Sequence, residues 1–358
     1  MDLMSSNEHY EYRELARKYG NFLQPAFQIF VEGTEVARSG KVPVRDVNVT
    51  LSCGEANACR MTIPAPYDLE KSTFGPKQMD LLALGKKVSV KLGYGSALME
   101  VFRGYISEVE VEYSATPQLV VTMMDLRKLM MSSRRMRQMT VKAPSDAVSK
   151  VMESYRKLYD HLSIQADKAE AEPFQLKQHR ESDYDFVMRM CEVVGKEFFL
   201  LGGDVYYQSR DRYPNPVITL APQGGGIQSF SSQIRYEVKR FLAIGREPNS
   251  KKEIYRSRTY RSEFVKKTLL PSPPPTVHAS PSIQTVADAE KWLDDAVRKE
   301  KEKGISATVR CLGLPELGPG HYMECSKLGA PFDRKYFIES VTHSIGSDGF
   351  TTELSLSG

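Results

Sequence analysis

The sequence predicts a mainly β protein with α+β insertions, made of two related small β-barrels per chain plus a small α/β middle domain. Three observations predict it: short runs in which apolar and polar residues alternate, a change to helical period between Pro144 and Tyr207, and a faint internal repeat.

From the N-terminus, Met1 to Asn21 read as a polar, partly helical lead-in. Strand signals begin near Pro25. Phe27-Gln28-Ile29-Phe30-Val31 leads into a turn at Glu32-Gly33-Thr34, and Val42, Val44, Val47, Val49 and Leu51 nearly alternate with polar residues, as a strand with one buried face should. Further strands are predicted at Lys87–Leu92, Val101–Tyr113 and Leu119–Met123, punctuated by Gly93, Gly95 and Gly104. Past Pro144, Ser145 is expected to cap a helix carrying Val148, Val151, Met152 and Tyr155 on one stripe. A second helix starts near Ser182-Asp183, places Phe186, Val187, Met190, Val193 and Val194 on one face, and ends at Gly195. Glu197–Leu201, Gly202-Gly203 and Asp204–Tyr207 read as a hairpin. Strand signals return over Arg235–Ile244, and Pro271-Ser272-Pro273-Pro274-Pro275 reads as an exposed extended segment. A helix from about Val286 to Lys303 sets Ala289, Trp292, Leu293 and Ala296 on one side and stops at Gly304. Trp292 is expected to pack this helix against a barrel. The domains that result are a lead-in over 1–24, a first β-barrel over 25–140, an α/β middle domain over 141–215, and a second β-barrel over 216–358 with the inserted helix near 286–303.

The repeat ties the two ends together. Leu84-Gly85 opens a strand and Tyr105-Ile106-Ser107-Glu108-Val109 begins 20 residues past Gly85; Leu317-Gly318 opens another and Phe337-Ile338-Glu339-Ser340-Val341 begins 19 residues past Gly318. Each copy then has a polar turn and an alternating last strand, Leu119, Val121 and Met123 in one and Phe350, Thr352, Leu354 and Leu356 in the other. A three-strand meander cannot bury its face alone, so other strands must complete each copy. Residues 25–65 are the natural completion of the first and 235–260 of the second.

Composition narrows the function classes. Basic residues number 49 against 45 acidic, a net charge of +4, which gives no global reason to invoke nucleic acid or an anionic membrane. The five cysteines, Cys53, Cys59, Cys191, Cys311 and Cys325, are odd in number without C-x-x-C spacing, so reduced thiols are expected rather than a disulfide framework or zinc ribbon. No apolar run approaches the ~20 residues of a membrane span. The N-terminus lacks the apolar core of a signal peptide, so folding in a cytoplasm is expected.

Local motifs give no chemistry. Gly93-Tyr94-Gly95-Ser96-Ala97-Leu98 begins like a dinucleotide fingerprint but has Leu98 at the third glycine position and β-strands on both sides, so a hairpin turn is expected. Gly224-Gly225-Gly226 lacks the Lys-Ser/Thr of a phosphate loop and reads as a turn. His9, His161, His179, His278, His321 and His343 are scattered; His321 with Cys325 is too sparse for a metal, and His343 is expected at a turn or lumen contact. No catalytic, cofactor-binding or metal-binding residue is assigned, and no cofactor is implied. Met123 to Met139 carries six methionines with Arg127, Lys128, Arg134, Arg135 and Arg137, and is expected to pack against a neighbouring subunit.

The residues then resemble a known family. Leu314-Pro315-Glu316-Leu317-Gly318-Pro319-Gly320, Tyr336-Phe337-Ile338-Glu339-Ser340-Val341-Thr342-His343 and Gly349-Phe350-Thr351-Thr352-Glu353-Leu354 resemble the C-terminal barrel of the late control protein D family. These are baseplate hub proteins of contractile phage tails, related to the N-terminal part of VgrG in type VI secretion. Ser182-Asp183, Phe186 and Gly195 resemble the S-D-x-x-F element of that family's middle domain, and the whole resemblance spans residues 25–358 loosely.

The resemblance implies a non-enzymatic hub in the tail baseplate of a phage or phage-tail-like particle such as a tailocin, assembled in the bacterial cytoplasm. Its implied partners are two further copies of itself in a homotrimer, a tail tube or tube-initiator protein, a spike protein and other baseplate proteins, with no membrane and no specific nucleic acid. In some relatives a spike follows the second barrel; this sequence ends at Gly358, so the spike is expected to be a separate chain. Two readings from other classes stand beside it: a tail-tip cell-wall hydrolase, and a nucleic-acid-binding protein using the Met/Arg-rich segment 123–139.

Overall fold

The alternating runs of the N-terminal part become antiparallel strands. The computed structural model describes residues 9–64, 67–68, 70, 73–74, 76–248, 252–280, 283–301 and 304–358; the first eight residues of the lead-in and residues 302–303 of the expected helix lie outside these. After α1 (Tyr12–Lys18) come β1 (Pro25–Val31), the two-residue β2 (Thr34–Glu35), β3 (Asp46–Ser52), β4 (Ala58–Pro64), the short β5 (Tyr67–Asp68) and β6 (Thr73–Phe74), α2 (Pro76–Leu81), β7 (Lys87–Tyr94), β8 (Ala97–Glu112) and β9 (Gln118–Met124). Strands β1, β7, β8, β9, β4 and β3 lie side by side in that order, each antiparallel to the next. Val47, Val49 and Leu51 of β3 and Cys59, Met61 and Ile63 of β4 are buried, in phase with the pleat. The β7–β8 hairpin turns between paired Tyr94 and Ala97, with Gly95 at φ +56°, a backbone region open to glycine at little cost.

The chain leaves this sheet at Asp125, whose carboxylate caps α3 (Leu126–Ser132) by accepting from the Arg127 amide. Then follow β10 (Arg135–Val141), α4 (Pro144–Glu153), β11 (Leu162–Ile164), β12 (Phe174–Glu181), α5 (Asp183–Val194), β13 (Glu197–Leu201) and β14 (Asp204–Gln208). β10 pairs with β12, and β14 pairs with β13 on one side and in parallel with β11 on the other. Met130, Met139, Val148, Val151, Phe186, Met190 and Tyr207 share one core. This α/β layer therefore begins at α3 and β10, residues that the sequence pattern assigns to the first barrel. Helix α5 starts on Ser182 and stops at Gly195 with φ +69°, as expected. Helix α4 differs. It starts at Pro144, whose fixed φ suits a first turn, and Ser145 lies inside it with its amide donating to Asp167 (2.7 Å).

The C-terminal part contains β15 (Pro216–Leu220), β16 (Ile227–Gln233), β17 (Val238–Arg246), β18 (Glu253–Arg261), β19 (Pro275–Ala279), α6 (Val286–Lys301), β20 (Ser306–Leu312), β21 (Tyr322–Cys325), β22 (Arg334–Gly346) and β23 (Gly349–Ser357). Here the sequence reading needs correction, because residues 235–260 do not complete the second copy. β17 pairs with β18 and β19 in a sheet of its own, where Phe241, Ala243 and Ile254 bury against Ala289 and Leu293 of α6. That helix gives the segment an apolar face to cover without the barrel. Residues 231–308 with 356–358 form one compact unit and the rest of the chain another. Trp292 packs inside the smaller unit, half-buried, stacked on His278 at 4.6 Å between ring centres, and not against a barrel. The strands that complete the second copy are β15, β16 and β20, and its order is β15, β21, β22, β23, β20, β16.

The two copies are joined edge to edge. β22 pairs with β3 from Ser340 opposite Ser52 to Ile345 opposite Val47, so pairing runs through both copies as one 13-stranded sheet.

Candidate functional site

The duplication is the feature that can do something. In chain order the copies are β1, β3, β4, β7, β8, β9 and β15, β16, β20, β21, β22, β23; in space both run first, fourth, fifth, sixth, third, second. Hydrogen bonds repeat the match. The Gly85 amide donates to the Ile106 carbonyl (2.8 Å) and Ile106 to Lys86 (3.0 Å); the Gly320 amide donates to Ile338 (3.0 Å) and Ile338 to His321 (2.8 Å). Gly85 and Gly320 also share a left-handed backbone, φ +83° and +84°. The partner of Gly85 is thus Gly320, two residues beyond the Gly318 that spacing suggests. One difference remains: β1 is antiparallel to β7, whereas β15 is parallel to β21.

Each copy has a long strand used in two halves. The first half of β22 pairs with β21 through Phe337, and its second half, on the same side, pairs with β3. The first half of β8 pairs with β7 up to Tyr105, while β9 takes its other side from Tyr105 to Glu112. Glu108 to Glu112 therefore leave the β7-side edge of β8 without a strand among the described residues. β16 ends the path at the other extreme, its outer edge likewise unpaired among the described residues. Neither edge is signalled by residue type, although the aromatic-Ile-x-x-Val match does align β8 with β22.

Buried polar groups fix the sheets. Arg127 is fully buried: its Nε donates to Asp125 (2.9 Å), one terminal nitrogen to the Ser52 carbonyl (2.8 Å) and the other to Asn57 Oδ1 (2.5 Å). Asn57 donates its amide to Asp125 (2.9 Å) and its side chain to the Leu200 carbonyl (2.9 Å), locking the β3–β4 turn to β13. The Met/Arg segment is accordingly mostly internal. Met123, Met130 and Met139 are core residues, and Arg135 and Arg137 bond Asp183, whereas Met136 is exposed. The lead-in is anchored too. Tyr19 donates to buried Glu316 (2.6 Å), which also holds Lys18 (2.8 Å). Burial, then the Glu316 carboxylate, pushes the Tyr19 phenol far up.

His343 lies fully buried within β22 and not at a turn. Its Nε2 meets the Leu317 carbonyl (3.2 Å), an acceptor only, so Nε2 carries the proton and Nδ1 accepts from Thr352 (2.9 Å). Burial lowers its pKa to about 4, against the opposing pull of the Leu317 carbonyl. The cysteines are all free and buried, and burial pushes the Cys311 and Cys325 thiols up to about 12. Gly93-Tyr94-Gly95 is a hairpin turn and Gly224–Gly226 a turn between β15 and β16, as expected. Among the described residues no three His, Cys, Asp or Glu side chains gather where they could hold a metal ion. A cleft of about 610 Å³ lies beside Arg103, whose charge is answered by Glu100 (2.7 Å) and Asp160. It is a salt-bridged seam.

Comparison with known proteins places this architecture. Residues 23–268 match the family of the Alg8 N-terminal domain. No curated protein matches the sequence. The fold is similar to that of a tail protein from Neisseria meningitidis MC58, with TM-score 0.70 and 15% identity over 94% of this chain and 97% of that one. It is also similar to the 43 kDa tail protein of prophage MuSo2 from Shewanella oneidensis, with TM-score 0.67 and 11% identity over 93% and 98%. The E. coli c3393 protein, described as a component of the type VI secretion system, gives TM-score 0.55 and 13% identity over 92% and 76%. At these identities the likeness is one of fold.

Proposed function

The chain belongs to the Alg8 N-terminal domain family, and from its fold we propose that it is a non-enzymatic baseplate hub protein of a contractile tail. In this reading it is a hub of the late control protein D type, a homotrimer joining the tail tube to the central spike. The observation that carries the reading is the duplicated sheet with one strand order. A tube built of hexameric rings and a spike with threefold symmetry need an adaptor that is sixfold on one face and threefold on the other. Three chains with two related sheets each present six similar surfaces to a tube, while the insertion between β16 and β20, which the first copy lacks, occurs only three times in such a trimer. The proposed partners are the tube, the spike and other baseplate proteins, and the proposed location is the baseplate of the particle.

Electron microscopy of particles labelled with antibody against this chain tests it. Label at the tube–spike junction, and particles without tubes when the gene is deleted, are the expected results. Label along the tube or sheath, or normal particles after deletion, contradicts the reading.

A further inference from the structure

A second cavity, of about 380 Å³, lies between the β7–β8 strands and the α/β layer and shares Arg103, Asp160, Gly202 and Gly203 with the salt-bridged seam. Strand pairing builds one of its walls. Lys87 stands opposite Tyr105 and Ser89 opposite Arg103, so Lys87, Arg103 and Tyr105 project from one face. Leu126 and Leu129, one turn apart on α3, form another wall. Leu158 and Tyr159, before β11, and Leu200 of β13 complete the lining. We propose that this cavity is the docking site for an acidic peptide segment of a partner protein. One large apolar side chain of the peptide fills the leucine-lined interior while its carboxylates meet Lys87 and Lys157. The proposal goes beyond the hub reading and does not depend on it.

Size, lining, charge and main chain each bear on the occupant. The volume falls within the roughly 300–1,000 Å³ of ligand sites and far exceeds the voids of a packed interior, few of which are larger than a water molecule. The lining is apolar and reaches the surface: Leu126, Leu200 and Tyr159 are buried, whereas Leu158 is 39% exposed and Leu84, next to lining Gly85, is 66% exposed. Leucines left open beside an apolar cavity are surface that a bound side chain would cover. The charge is one-sided. Arg103 is answered by Glu100 and Asp160, which leaves Lys87 and Lys157, both exposed, without a side-chain partner among the described residues. Carboxylates complement such a rim and a basic segment does not. The main chain favours a peptide over a free amphiphile. A Cβ on Gly85 would meet nothing within 4 Å, so that part of the wall is bare backbone against which another main chain can lie.

Selection from a random peptide library on the immobilised full-length chain tests the proposal. The expected binders carry a large apolar side chain close to two or more carboxylates. Their affinity, read by fluorescence anisotropy of the labelled peptides, should fall by about tenfold or more when Lys87→Glu is combined with Lys157→Glu, and again when Leu158→Glu is made alone. All three side chains are exposed, so thermal unfolding of the variants should match that of the parent, which separates lost binding from lost fold. Binding should also weaken with added salt, because the lysines face water. Basic binders, acidic binders that hold the variants as tightly as the parent, or no binders at all overturn the proposal. Decanoate serves as the second probe. Decanoate that binds the parent and not the Leu158→Glu chain, while the library yields nothing, makes the cavity a site for a free amphiphile and overturns the peptide reading.

Discussion

β8 and β22 occupy the same place in two copies of one sheet, yet among the described residues only β22 has both edges covered along its second half. There β3 pairs along the second edge, and Val341 and His343 are buried, His343 against Leu317, Thr352 and Phe350 of its own copy. On β8 the corresponding stretch ends in exposed Val111, Glu112 and Tyr113. The copies also differ in what joins their second and third strands: a short turn locked by Asn57 and Arg127 in the first, a folded insertion with its own core in the second. The contrast teaches that duplication here has produced one joint inside the chain and, among the described residues, one uncovered edge at each end.

The largest expected effect falls on the locked turn. Arg127→Ala leaves Asp125 buried without its partner and should cost ~3–5 kcal/mol in a denaturant titration. A loss under about 1 kcal/mol would mean that the first copy does not depend on its clamp.

The next effect separates the copies by pH. His343, neutral in the folded sheet with a pKa near 4, would charge in the unfolded chain near 6.5. The unfolded state binds the extra proton, so stability from this group is intact above about pH 6.5 and falls as pH drops toward 4, by about 3 kcal/mol. His343→Val, which places the Val111 side chain of the first copy at this site, should remove that part of the pH dependence. Identical pH slopes for the two proteins would place His343 in contact with water.

Trp292→Ala in the insertion should cost about 1–3 kcal/mol, less than a fully buried ring, because one side of the indole stays open beyond His278 and Phe241. The smallest effect on the isolated chain is expected at the free edge. Val111→Lys should shift its unfolding by no more than about 0.5 kcal/mol. A shift well above that would mean that this edge is covered within the chain.

Much of this is legible in the sequence. Period-two runs mark the strands, Ser182 and Gly195 bracket a helix, and aromatic-Ile-x-x-Val aligns the two long strands. What is not legible has specific causes. Residues 235–260 alternate as a barrel strand would, and only the apolar stripe of α6 decides that they pair elsewhere. Gly320 carries the turn that spacing assigns to Gly318, because glycine spacing does not report φ. Arg127 reads as part of a Met/Arg segment that packs against a neighbouring subunit, because arginine seldom lies fully buried within a chain; its partners Asn57 and Asp125 come 70 and 2 residues away, and only the fold brings them together. The free edges are invisible because an edge is a property of pairing and not of residue type.

The central claim, that one chain supplies two of six equivalent positions in a closed ring, is tested most directly by a cryo-electron microscopy map of the assembled baseplate. Three chains around one axis are expected. The β1–β9 and β15–β23 sheets should alternate at steps of about sixty degrees. Two chains, or six chains with only one copy facing the tube, would contradict the account.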